Sequence, residues 1–490
     1  MLFNSYAFLL FFPVVTILFF LLPHKFRWFH LLVASCIFYM YFVPIYIVIL
    51  FGTIFIDYAA GIYIENAQGL RRKSFLVLSI ITNVGVLAVF KYYNFFIENS
   101  NFVLENSHIS YALPLLKILL PIGLSFHTFQ AMSYTIEVYR GHQKAERHLG
   151  IYALYVMFYP QLVAGPIERP QNLLFQFHKE QHFDYDNAAN GLRQIMWGLF
   201  KKVVIADRLS LFVNPIFNSP HSYSSTALFV GAAFFSFQIF CDFSGYSDIA
   251  IGCARLMGFT LMQNFNRPYR ARNIANFWRR WHISLSTWFK DYLYIPLGGN
   301  RVSIPRWYVN IFIVFIISGL WHGANWTYII WGALHGFYQV FGSVTEKVRR
   351  RFTDAIGLSR LPWLDVSLQK IITFLLVTVA WVFFRASSVA SSIYIVKKMP
   401  GVVPELIRAA GNRKLVVTEL FGGLNIMSLL IAAGYIFFLE FVHHIEGDEN
   451  IFEIIGRKKK TVRWATYMVF FIIIAYFGVF DSRQFIYFQF

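Results

Sequence analysis

The stretch SGLWHGANW, residues 318–326, sets a histidine, two glycines and an asparagine inside an otherwise apolar run. The run begins near Ile311 and resumes through Trp326, Ile329, Ile330 and Trp331, which is long enough for a membrane segment. An ionisable side chain at that depth must face a cavity or a partner, so His322 is a functional candidate by default. Gly319 and Gly323 permit close helix approach or local unwinding, and the indole N–H groups of Trp321 and Trp326 are donors able to face a polar cavity. A lone histidine among tryptophans is otherwise an ordinary hydrogen-bonded core residue. These neighbours favour a lined cavity.

Working outward, the rest of the chain has the same solvent. Hydrophobic residues make up 57% of the 490 and charged residues only 14%, with 56 Phe. Apolar stretches recur near residues 4–22, 31–43, 45–56, 75–90, 114–136, 225–241, 311–342, 368–384, 425–442 and 464–480, with less apolar ones at 150–165 and 191–216. The pattern predicts an all-α polytopic transmembrane protein with about a dozen membrane-embedded helices, some re-entrant. The polar intervals are too short for a soluble domain, so one membrane domain is expected over 1–490. The first segment lacks a basic leader and a small-residue cleavage site, and is expected to be a retained span. Cys36, Cys241 and Cys253 have neither disulfide nor zinc-site spacing, and no metal site is expected.

A formal charge of +18 could suggest nucleic acid, but in such a chain Lys and Arg collect in cytoplasmic loops, and no nucleic-acid partner is expected. Placing the basic clusters inside puts both termini outside and leaves 386–424 as an extracytoplasmic stretch. It also puts the break at 322–325 in the middle or outer half of the bilayer, so that His322 faces a cavity reachable from outside.

A second unusual stretch, NFNRPYRARNIANFWRRWHISLSTWFKDYLYIPLGGNR at 264–301, is aromatic and basic, and Pro268, Pro296 and Gly298-Gly299 break it into short pieces. Most of its Arg and Lys read as an interfacial belt. His282 is harder to dismiss, because a segment folding back toward the bilayer would bring it into the cavity of His322. An imidazole there can take a proton from a hydroxyl near neutral pH, as acyl transfer to an alcohol requires. In CDFSGYSD, Asp242 and Asp248 lie beside an apolar span. The plain reading is a polar knot between helices; in the functional one, Asp242 orients a catalytic histidine or lines a tunnel. No Walker-type phosphate loop, H-E-x-x-H helix or G-x-S-x-G elbow is present.

At 264–301 and 318–336 the chain resembles the membrane-bound O-acyltransferases, in particular the alginate O-acetyltransferase branch of bacterial polysaccharide modification. LPIGLSFHTFQAMSYTIEVYRG (120–141), YPQLVAGPIERP (159–170), GLFKKVVIADRL (198–209), QIFCDFSGYSDIAIG (238–252), WVFFRA (381–386) and the terminal FIYFQF read like the same branch, so that roughly the whole chain is covered. His127 departs from the aromatic residue expected there and adds a third intramembrane histidine.

The resemblance implies core motifs over 120–342, C-terminal spans over 368–490, and helices arranged around a central funnel or tunnel. It implies His322 as the catalytic residue supported by His282, with Trp321 and Asn325 as candidate substrate contacts. Arg279, Arg280 and Lys290 are candidates for holding the donor's phosphates. The implied donor is acetyl-CoA, a substrate from the cytosol; no bound cofactor is expected. The implied acceptor is an extracytoplasmic polysaccharide such as alginate, reached through a periplasmic partner acyltransferase, and the protein sits among the lipids of a bacterial inner membrane. Transfer either goes directly or passes through a covalent acyl intermediate on another residue. The nearest alternative is D-alanyl transfer to teichoic acid, to which the branch's chain length and terminal FIYFQF are the counter-indication. A polytopic transporter or lipid-linked sugar flippase is the rival from another class, but it commonly shows two homologous halves, and the block at 264–301 has no counterpart in the first half.

Overall fold

The computed structural model describes residues 1–490 apart from 110, 118–120, 122, 164, 410–425, 448, 481–484 and 487–490. Parts of the apolar stretch at 114–136, of the interval 386–424 and of the terminal FIYFQF therefore lie outside the described residues. The described chain is helical, with no strand among those residues. It divides into two compact units, one of residues 1–198 and 246–263, the other of 199–245 and 264–486, each as far as its residues are described.

The first unit contains α1 (Tyr6–Leu21), α2 (His24–Met40), α3 (Ile47–Asn66), α4 (Gly69–Leu87), α5 (Tyr93–Asn106), α6 (Leu124–Arg140), α7 (Leu149–Met157), α8 (Tyr159–Leu162), α9 (Pro170–His178) and α10 (Tyr185–Leu199). Helices α3, α4 and α6 pack on one another. The buried Asp57 carboxylate ties them together, accepting from Ser79 Oγ at 2.6 Å and from Asn83 Nδ2 at 2.9 Å, while Ser79 also bonds Thr135. His127 of α6 bonds Thr53 Oγ1 of α3 at 2.7 Å. Polar groups inside hydrocarbon need such partners, because no water is there to satisfy them.

The second unit holds α11 (Asp207–Asn218), most of α12 (Ser225–Leu256), α13 (Ile274–Trp278), α14 (Ile283–Phe289), α15 (Ile304–His322), α16 (Trp326–Val344), α17 (Glu346–Ala355), α18 (Pro362–Arg385), α19 (Val389–Lys398), α20 (Val402–Ala409), α21 (Ile426–Glu446), α22 (Ile451–Gly456) and α23 (Lys460–Phe477). Local chemistry sets several starts. Proline occupies the first turn of α15 and α18, where no N–H partner is lost. Asn325 caps α16, its side chain accepting from Thr327 N–H at 3.0 Å. Glu405 of α20 caps α12, accepting from the N–H groups of Ser225 and Thr226 at 3.0 and 2.8 Å.

Among the described residues, seven helical stretches are long and apolar enough to cross a membrane: Pro44–Asn66, Gly69–Asn106, Ser225–Leu256, Ile304–His322, Pro362–Arg385, Met427–Glu446 and Lys460–Phe477. Their outward faces are apolar, as with Phe437, 75% exposed, and Phe471, 68% exposed, which suits lipid and not water. The other apolar stretches fold differently. Residues 4–22 give the 16-residue α1. Residues 150–165 break at Phe158 into α7 and α8, and 191–216 is interrupted by a π-helical turn over Phe200–Ala206. Among the described residues, full-length spans thus account for only part of the dozen or so embedded elements expected, some of them re-entrant, because a run's length does not reveal where its backbone breaks.

Candidate active site

The site grows from the hairpin of α15 and α16. Gly319 and Gly332 lie back to back with their Cα atoms in close approach: a Cβ on Gly319 would strike the Tyr328 carbonyl oxygen, and one on Gly332 the Phe315 carbonyl oxygen. This contact, which only glycine allows, brings the last turn of α15 against the first turns of α16. His322 ends α15 and is buried there, its ring edge-on to Trp331 at 5.0 Å and to Phe384 of α18 at 5.3 Å, with Trp321 at 4.8 Å.

His282 reaches the same aromatic cluster from a different element. Its ring lies edge-on to Phe243 at 4.7 Å and to Trp321 at 6.3 Å, so that the Trp321 indole touches both histidines. Its backbone is left-handed, with φ +43°, a conformation that costs a non-glycine residue free energy and must be imposed by its surroundings. Residues 264–266 impose it. Ile283 N–H donates to Asn264 O at 2.9 Å, Asn266 N–H donates to Arg280 O at 2.9 Å, and Asn264 Oδ1 accepts from Ser284 Oγ at 3.0 Å. The interrupted block at 264–301 thus folds into short pieces that present one buried imidazole.

The remaining sequence candidates divide. Trp321 is buried between the two histidines. Asn325 is exposed and spends its side chain on the α16 cap. Arg280 is stapled to Asn276 Oδ1 at 3.1 Å and to Asn266 O at 3.2 Å, and shares a basic neighbourhood with Arg270, Arg272 and Lys370. Arg279 and Lys290 are exposed. Asp242 is buried, but its described bonds go to Lys202 Nζ at 2.6 Å and to the Ile486 N–H at 2.7 Å, and none goes to a histidine. Lys202 also pairs with Asp207 at 2.9 Å, which makes this a buried ion cluster on the π-helical turn.

Sequence reasoning passed over three members of the cluster. Trp331 and His335, four residues apart on one face of α16, meet at 5.0 Å, and Trp381 of α18 stacks on Trp331 at 5.7 Å. The signal was the four-residue spacing of WGALH, which in an apolar helix is indistinguishable from core packing.

Two buried histidines sharing one aromatic cluster among long apolar helices suit proton transfer inside a membrane enzyme. Residues 141–389 match the membrane-bound O-acyltransferase family, and the chain belongs to that family. It is therefore a multi-pass membrane enzyme that transfers acyl groups to hydroxyls. Among its relatives, it is 41% identical over 392 residues to a probable alginate O-acetylase of Pseudomonas aeruginosa, covering 79% of this chain and 72% of that one. It is 39% identical to a peptidoglycan O-acetyltransferase of Helicobacter pylori, covering 76% and 73%. To a teichoic acid D-alanyltransferase of Bacillus subtilis it is 28% identical, covering 47% and 61%.

Proposed function

We propose that this O-acyltransferase takes acetyl from acetyl-CoA on the cytosolic side of a bacterial inner membrane and delivers it, through a periplasmic partner acyltransferase, to hydroxyls of an extracytoplasmic polysaccharide of the alginate kind. The observation that carries the reading is the burial of His322 and His282 against one shared indole, Trp321. Relatives about 40% identical over nearly four-fifths of the chain are O-acetylases, whereas the D-alanyltransferase likeness is weaker and covers under half of it.

The chemistry follows from the residues. His322 accepts the proton of the attacking hydroxyl and returns it to the departing thiolate. His282, fixed by its strained backbone, supports that site from the other side of Trp321. Arg280 with Arg270, Arg272 and Lys370 attracts the donor's phosphates as charge-assisted partners. Arg279 and Lys290 extend that basic surface.

The test is transfer of label from radioactive acetyl-CoA, supplied on the cytosolic face of membrane vesicles, into polysaccharide, with a D-alanyl donor run in parallel. Acetyl label in the polymer supports the reading. Preferential D-alanyl transfer would move the protein to the teichoic branch, and passage of unmodified sugar without transfer would make it a transporter.

A further inference from the structure

Among the described residues, three N–H donors in the cluster around Trp331, the ring against which His322 packs, are buried without an acceptor. Trp278 donates its Nε1–H to Nδ1 of His335 at 3.2 Å, which leaves the proton of the neutral His335 ring on Nε2. Among the described residues that Nε2 has no partner, and neither has the indole Nε1 of Trp331 or of Trp381. All three residues are 0% exposed. They form one cluster, with Trp331 stacked on Trp381 at 5.7 Å and His335 at 5.0 and 6.4 Å from the two. His322 packs edge-on against the same Trp331 ring at 5.0 Å. Elsewhere the fold provides for its indoles, as where Trp307 donates to Tyr294 Oη at 2.8 Å. Buried donors without acceptors are costly, most of all where no water substitutes, and a cluster of them beside a base points to a ligand that accepts.

The lining says what kind. Phe277, Phe315 and Phe384 wall the cluster at 6.2 and 6.1 Å from His335 and 5.3 Å from Trp331. Such a wall disfavours a resident anion and suits an uncharged carbonyl oxygen that becomes negative only during reaction. We infer that Trp331, Trp381 and His335 donate hydrogen bonds to the carbonyl oxygen of the acyl thioester and hold the oxyanion that forms from it. This rests on the acetyl-transfer reading above. In the step, the hydroxyl oxygen bonds to the carbonyl carbon, His322 takes the hydroxyl proton, and the C=O π pair moves onto the oxygen held by the three donors. When the pair returns to remake the carbonyl, the C–S bond breaks, and the sulfur leaves with its electron pair and takes the proton from His322. The products are an O-ester and a free thiol.

The test removes each donor while keeping its ring. Trp331 and Trp381 are each replaced by benzothienylalanine, in which sulfur stands in place of N–H. His335→Phe is set beside His335→Gln, which retains a side-chain N–H. Loss of one donor should lower kcat roughly 100-fold, with KM for acetyl-CoA held within about twofold, and His335→Gln should recover much of what His335→Phe loses. A second readout is the infrared carbonyl stretch of carbonyl-labelled acetyl-CoA bound to the His322→Gln protein. Its frequency should rise when a donor is removed, which a purely structural role would not produce. Variants with unchanged kcat, or an unchanged carbonyl frequency, overturn the assignment. Where a tryptophan replacement lowers the melting temperature, the His335 pair decides. Failure of the acetyl-transfer reading looks different: the unaltered protein would neither transfer acetyl from acetyl-CoA nor bind it, and this assignment would fall with it.

Discussion

His282 carries a testable strain of its own. A left-handed backbone costs an ordinary L-residue roughly 1–2 kcal/mol and costs Asn less, and φ at position 282 is +43°. His282→Asn should therefore be about 1 kcal/mol more stable than His282→Ala by thermal or denaturant unfolding in detergent, while both lose transfer activity. Equal stability would mean that residues 264–266 do not hold this conformation. That His282 and His322 would share one buried cluster was legible in the sequence, because each is a polar interruption of an apolar, aromatic stretch. His335, Trp331 and Trp381 were not, because a residue whose apolar ring hides one polar atom looks like core until its hydrogen bonds are counted. Asp242 illustrates a different blindness: no spacing rule places Lys202 at 2.6 Å from its carboxylate.

The hairpin of α15 and α16 depends on backbone contact at Gly319 and Gly332, which the sequence suggested only for Gly319. Gly332→Ala puts a methyl group into the Phe315 carbonyl oxygen, and since backbone cannot swing away, the helices must part. Such overpacking should cost about 1–3 kcal/mol and lower transfer by displacing His322 from Trp331. A Gly332→Ala protein with unaltered melting temperature and activity would show that the two helices are free to separate. At the start of α12, hydrogen bonds from Thr226 and Ser225 outweigh the effect of burial and hold the Glu405 carboxyl below its ordinary range. A depressed folded value means that the cap's stabilisation is fully present above about pH 4.5 and is lost as pH falls through the lowered value. The wild-type melting temperature should thus drop more than that of Glu405→Gln on acidification from neutral pH; parallel curves would contradict the cap. The register of such a cap across 180 residues is not written in either segment.

For the whole molecule, the charge map makes a prediction about sides. A cysteine at position 272, replacing the exposed Arg272, should be labelled only from the cytosol, and one replacing the exposed Asn325 preferentially from outside. Labelling of the 272 site by an impermeant external thiol reagent in intact cells would reverse the topology and with it the direction of acetyl transfer. The membrane class and the all-helical build were legible in composition alone, since backbone satisfaction in lipid leaves helices as the economical answer for runs of this length. The number of spans was less legible, because short, broken and π-interrupted helices share the same apolar alphabet. The most direct test of the central claim, that His322 is the base of acyl transfer, is the initial rate of acetyl transfer from labelled acetyl-CoA by wild-type and His322→Gln proteins of equal expression and melting temperature. The expected result is a fall of roughly 100-fold or more in the variant; a His322→Gln protein that transfers acetyl at the wild-type rate would contradict it.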